Sequence, residues 1–118
     1  MDSEFNLIET FCDGRCGIDA IYNTLLHHRL INMNLSYFCS SFKINKFDFH
    51  WRTDDELQEL CRRIHTNLLL INQNTHTFYV YNNGYNFYIC IHFNNNHFRG
   101  YKLLNPAIEY SSYQIIQL

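Results

Sequence analysis

An α+β domain is the fold class this sequence predicts, with N-terminal helices packed on a small, late, antiparallel-rich β-sheet. Three observations carry it. Apolar residues recur at helical spacing early in the chain, at Ile18, Ile21, Tyr22, Leu25 and Leu26. A second helical pattern, TDDELQELCRRIHTN, follows from Thr53. After it come only short β-branched and aromatic runs separated by turn residues. Helices followed by strands, rather than alternating with them, imply a segregated architecture. The 118 residues suit one domain spanning 1–118 with one core.

Taken in order, residues 1–11 read as an irregular or short helical arm. A helix is predicted from Cys16 to about Arg29. Residues 30–52, rich in Phe, Tyr and Lys, hold short elements whose type the pattern leaves open; the FKINKFDFHW run from Phe42 to Trp51 suits either a partner-binding surface or a core strand with solvated lysines. In the second helix Thr53 and Glu56 form a capping box, Asp54 and Asp55 lie in the first turn, and Arg62 and Arg63 lie near the end, as the helix dipole favours. Leu57, Leu60, Cys61 and Ile64 make its apolar stripe. Strands are predicted at 68–72, 77–81, 87–93 and 97–104, the last two joined as a hairpin through Asn94, Asn95 and Asn96.

Composition bounds the function. A hydrophobic fraction of 47% with 17% charged residues is that of a globular chain, and ten Phe and nine Tyr make the core aromatic. The net charge of -2 argues against a nucleic-acid partner, which calls for a basic face. No apolar run reaches the length of a membrane span, and Asp2 and Glu4 at the start do not suit a signal peptide. Five scattered cysteines, Cys12, Cys16, Cys39, Cys61 and Cys90, make a poor disulfide framework and point to a reducing, cytoplasmic compartment. Cys61 and Cys90 lie in apolar segments and read as core residues. The heavy use of Asn, Ile and Tyr is the bias of an A+T-rich coding sequence.

CDGRCGIDAIYNTLL, from Cys12 to Leu26, holds the chemistry. A cysteine acts as a nucleophile only as thiolate, and unpaired N–H groups at a helix start favour that anion. Cys16 sits where the Asp13–Gly14–Arg15 loop runs into the helix. Gly14 permits a tight turn, Gly17 leaves the sulfur open, and the loop can aim N–H groups at an oxyanion. Asp13 shapes that loop through side-chain to backbone hydrogen bonds, or is a plain turn residue. The alternative for Cys16 is an inert thiol at a helix start. A base decides between them. His27, His28 and His65 end helices, where the dipole explains them, and His50 and His76 fall in irregular segments. His92 lies within a strand. His97 begins the last strand, where a ring is rigid yet exposed at a sheet edge, and it is the preferred base. A metal site at Cys12, Cys16, His27 and His28 is a lesser alternative that lacks tight ligand pairs.

The string DGRCGIDAIYNTL resembles the nucleophile segment of OTU-type (ovarian tumour) cysteine proteases, whose pattern is Asp-Gly-x-Cys followed by a helix. Cys-Gly with apolar residues after it is especially similar to the compact papain-like/OTU proteases of arteriviruses, tymoviruses and other positive-strand RNA viruses. The helix from Trp51, the strand NLLLIN and the hairpin NNNHFRGYKLL resemble later family segments in the same order, so the resemblance runs from about Asp13 to Leu104. It implies an OTU/papain-like fold, Cys16 and His97 as catalytic pair, no cofactor, and thiol-protease activity after the C-terminal Gly of ubiquitin or a ubiquitin-like modifier. It also implies a viral deubiquitinase acting in host cytoplasm in immune evasion, with a viral polyprotein as a second substrate. Aromatic walls for the narrow substrate channel are available at Trp51, Phe98 and Tyr101, which also suit a plain core. One departure stands out: many members carry Asp or Asn two residues after the His, and here that position is Arg99, which has no acceptor. Glu9, upstream of the cysteine, is the candidate orienter in its place, or else a solvated carboxylate. The departure equally fits an alternative, a catalytically inactive OTU-like domain that binds a ubiquitin-like partner.

Overall fold

The computed structural model describes residues 6–10, 16–44, 54–105 and 109–118. It is an α+β fold of three helices and one six-stranded mixed sheet. The elements are β1 (Leu7–Ile8), α1 (Cys16–His27), α2 (Leu35–Ser41), α3 (Asp54–Arg63), β2 (Asn67–Asn72), β3 (Thr77–Tyr81), β4 (Tyr88–Asn94), β5 (His97–Tyr101) and β6 (Gln114–Gln117). The sheet order is β1-β5-β4-β2-β3-β6. The pairs β1–β5, β4–β5 and β2–β3 are antiparallel, and β2–β4 and β3–β6 are parallel. The expected late sheet is therefore mixed, and its outer strand β1 comes from the arm before the helices.

Period-two alternation divides the sheet into two faces. Leu68, Leu70, Tyr81, Ile89, Ile91 and Phe98 pack toward the helices, with Ile18, Ile21 and Leu25 of α1 and Leu57, Leu60 and Cys61 of α3. Ile71, Phe78, Cys90 and Tyr101 pack on the other face under Tyr110. Both Cys61 and Cys90 are fully buried, and burial pushes both thiols up, Cys90 to about 12. The β4–β5 hairpin turns at Asn95 and Asn96, which have φ of 52° and 60°. That left-handed pair is the turn that matches strand twist, and Asn tolerates it. Thr53, the N-terminal half of the predicted capping box, lies outside the described residues.

The helices share one terminus. Arg29, Lys43 and His65 each adopt a left-handed conformation two residues past a helix end. Each is followed by a backbone bond reaching back five residues: Leu30 N to Leu25 O at 2.9 Å, Ile44 N to Cys39 O at 2.8 Å, and Thr66 N to Cys61 O at 3.0 Å. These are Schellman closures built without glycine. His65, expected as a helix-end residue facing the dipole, serves instead as one of these left-handed caps. A non-glycine residue in this region costs about 1 kcal/mol. Arg29→Gly is expected to raise the unfolding free energy by about that amount, read by urea denaturation.

The close contact in the fold is between α1 and β5. A side chain at Gly100 would bring a Cβ to 2.4 Å from Thr24 Oγ1, 3.0 Å from Ile8 Cβ and 3.2 Å from the Ala20 carbonyl. Thr24 cannot yield freely, because its hydroxyl donates to the Ala20 carbonyl at 2.6 Å in a buried site. Gly100→Ala is expected to cost roughly 1–3 kcal/mol of stability, measured by urea unfolding, as overpacked cores do.

Candidate active site

Cys16 is the first residue of the 12-residue helix α1. Asp19 in the first turn and Gly17, Ile18 and Ala20 beside it are all buried. Cys16 itself is 7% exposed. It belongs to the buried cluster on the helix side of the sheet, with Phe98 of β5, whereas His97 occupies the alternate position of that strand. Cys12, Asp13, Gly14 and Arg15, expected to form the oxyanion loop, and Trp51, expected at the substrate channel, lie outside the described residues.

His97 opens β5 as expected, but it is not at an exposed edge. β5 is the second strand of the sheet, covered by β1, and His97 is 8% exposed. The Thr10 hydroxyl lies 3.1 Å from His97 Nε2 and donates to the Phe98 carbonyl at 2.6 Å. A threonine hydroxyl has one hydrogen, so the one spent on Phe98 leaves oxygen lone pairs toward the ring. That oxygen can accept from Nε2–H, and the tautomer that fits this arrangement carries the ring's lone pair on Nδ1. Burial lowers the His97 pKa from 6.5, Arg99 lowers it further, and Glu9 opposes them. The shift favours the neutral imidazole, the state a general base requires.

Glu9, the candidate orienter, gives its carboxylate to Arg99: Oε1 accepts from Nε at 2.6 Å. Its neighbour Thr10 is the residue whose hydroxyl meets His97 Nε2, at 3.1 Å. Sequence reasoning missed Thr10 because an uncharged threonine in an irregular arm has no distinguishing pattern; only the pairing of β1 with β5 brings it there. Phe98 and Tyr101, considered for the substrate channel, are core side chains on opposite faces of β5, and the Tyr101 hydroxyl donates to Glu109.

The sites that compete with this pair fare differently. Cys16 and His27 occupy opposite ends of α1, about 16 Å apart at helical rise, so they cannot share one metal ion. Among the described residues no three His, Cys, Asp or Glu side chains converge on a metal position. His92 is 1% exposed and bonds Gln73 Oε1 through Nε2 at 2.7 Å, while its Nδ1 has no hydrogen-bond partner among the described residues. Burial, aided by Arg99, pushes its pKa down to about 4. It is a buried neutral ring rather than a poised base.

The chain matches no family model, no curated protein and no solved structure.

His92 sets a pH dependence of stability. Its pKa is lower folded than unfolded, so its contribution is fully present above 6.5 and is lost as pH falls toward about 4. The loss is on the order of 3 kcal/mol. Urea unfolding at pH 7, 5 and 4 is expected to show it, and His92→Gln is expected to flatten the trend.

Proposed function

We propose that the chain is a cysteine-dependent hydrolase of the OTU type that cleaves peptide or isopeptide bonds after the C-terminal Gly of ubiquitin or a ubiquitin-like modifier. The observation that carries this reading is the state of His97. The Thr10 hydroxyl lies 3.1 Å from Nε2 while it donates to the Phe98 carbonyl, and burial lowers the ring's pKa, which together support a neutral ring with its lone pair on Nδ1. The resemblance of the Asp13–Gly14–Arg15–Cys16 string supplies the nucleophile and the substrate class. A viral polyprotein remains part of the proposal as a second substrate.

In this mechanism His97 Nδ1 takes the proton from Cys16 Sγ. The thiolate adds to the scissile carbonyl, and N–H groups of Cys16 and the Gly14–Arg15 loop receive the oxyanion. The C–N bond then breaks, the imidazolium gives its proton to the departing amine, and a thioester remains. Water, relieved of a proton by His97, hydrolyses the thioester and restores the thiol. Thr10 takes the orienting role that Arg99 cannot fill. Its hydroxyl accepts from Nε2–H and stays anchored to the Phe98 carbonyl, so the ring cannot turn without breaking a hydrogen bond.

The inactive binding fold is favoured by one observation, the cation Arg99 beside His97. One experiment separates the two readings. Ubiquitin and an interferon-induced ubiquitin-like modifier, each carrying a C-terminal electrophile, are incubated with the protein and adducts are read by intact mass. The catalytic reading predicts an adduct that Cys16→Ala abolishes and His97→Ala slows by about 100-fold or more. Tight binding without an adduct would support the inactive fold.

Thr10 has its own test. Thr10→Val keeps the shape and removes the hydroxyl, and is expected to lower kcat about tenfold or more with little change in KM. Thr10→Ser is expected to restore most of it. Equal activity in the valine variant would remove Thr10 from the mechanism.

A further inference from the structure

The segment from Asn6 to Thr10 is tied to β5 at both ends. At its start, the Asn6 side-chain amide and the Tyr101 hydroxyl both donate to the Glu109 carboxylate. Lys102 N also donates to the Asn6 carbonyl at 2.7 Å. In the middle, Leu7 and Ile8 pair with Tyr101 and Gly100. The strand pairing then stops two residues short of Thr10. Beyond it, the side-chain links are the Thr10 bonds to His97 and Phe98 and the Arg99–Glu9 ion pair.

That ion pair is unequal. Glu9 is 71% exposed and Arg99 only 26%. Two fully exposed partners would contribute little. Here the cation is mostly covered by protein, and its Nε–H meets the carboxylate at 2.6 Å, within the range of charge-assisted bonds. Arg99 also stands two residues after His97 on the same strand, where the pleat turns both side chains to one face. A guanidinium there could turn toward the imidazole or repel its protonated form. Glu9 engages that guanidinium and, in the same contact, holds the arm one residue before Thr10.

We propose that Glu9 and Arg99 are a positioning pair, whose ion pair seats the arm carrying Thr10 against the strand carrying His97. The inference rests on the catalytic reading of His97. Neither residue takes part in bond making; both act through the ring and its threonine. Among the described residues, the titratable and charged groups to weigh are Arg99 on the strand itself, Glu9 on the arm, His92 opposite Arg99 on β4, and Cys16 and Asp19 on α1, the helix packed against β5. Of these, Arg99 and Glu9 are the two whose charges shift the His97 proton, in opposite directions.

The test uses Glu9→Gln, Arg99→Met and the double variant, with two readouts. The first is nitrogen NMR of the His97 ring, which reports the tautomer and titration midpoint whether or not the protein is active. The second is the pH profile of kcat and KM on a fluorogenic ubiquitin substrate. Glu9→Gln is expected to lower the ring's midpoint, loosen the Nε2–H tautomer and reduce kcat about tenfold, with KM within about twofold. Arg99→Met is expected to raise the midpoint. The double variant is expected to be less impaired than the two losses combined, as coupled residues are. Single variants that leave both tautomer and midpoint at their wild-type values, or losses that simply multiply, would overturn the inference. A protein that hydrolyses nothing and takes up no probe would instead overturn the catalytic reading, and the ring titration would still decide the pair.

Discussion

The candidate site depends on how closely α1 lies against β5. The nucleophile candidate heads the helix and the base candidate heads the strand, and these two elements pack together. Gly100 makes that approach possible. The space where its Cβ would stand is already taken by Thr24, Ile8 and the Ala20 carbonyl. Ala20 lies one helical turn after Cys16, and Gly100 lies three residues after His97, so this close approach joins the two elements that carry the candidates. A helix held to a strand at van der Waals contact positions side chains better than a loop does.

Two buried histidines on neighbouring strands show how local partners decide chemistry. His92 and His97 lie on β4 and β5, and both lose affinity for protons through burial and Arg99. His92 sits deeper, bonded to a neutral amide, and is pushed down to about 4. His97 has Glu9 opposing the shift and the Thr10 hydroxyl at Nε2. The first ring is a structural member that acid destabilises. The second is met by a hydroxyl and lies between opposing charges, the setting on which its proposed role as base rests. The difference comes from the five-residue arm that closes over β5, not from the strands themselves.

The parts of the fold that local sequence dictates were legible. α1 begins at Cys16 as the pattern predicts, α3 follows its charged ends and apolar stripe, and β3 coincides with its aromatic run. The β4–β5 hairpin follows from Asn95 and Asn96, which accept a left-handed turn at low cost. β1 and β6 were not legible. Two residues and four residues respectively have too little pattern of their own, and each exists because a distant strand offers a ladder. The same non-local pairing hides Thr10. The arm upstream of the cysteine is where an orienting group was sought, and charge directed attention to Glu9. The hydroxyl that meets the ring belongs to the residue beside it. The identity of the substrate rests on motif resemblance, because no packing or charge pattern in the described residues encodes it.

Site-resolved alkylation of Cys16 tests the central claim most directly. The native protein is treated with iodoacetamide across pH 5 to 9, and the rate at each cysteine is read by peptide mass spectrometry, with His97→Ala in parallel. Cys16 is expected to react faster than Cys61 and Cys90 by about 100-fold or more, and this advantage is expected to fall with His97→Ala. A Cys16 as inert as those two core thiols in folded protein, or one whose rate ignores His97, would contradict it and leave Cys16 as a packing residue at the start of a helix.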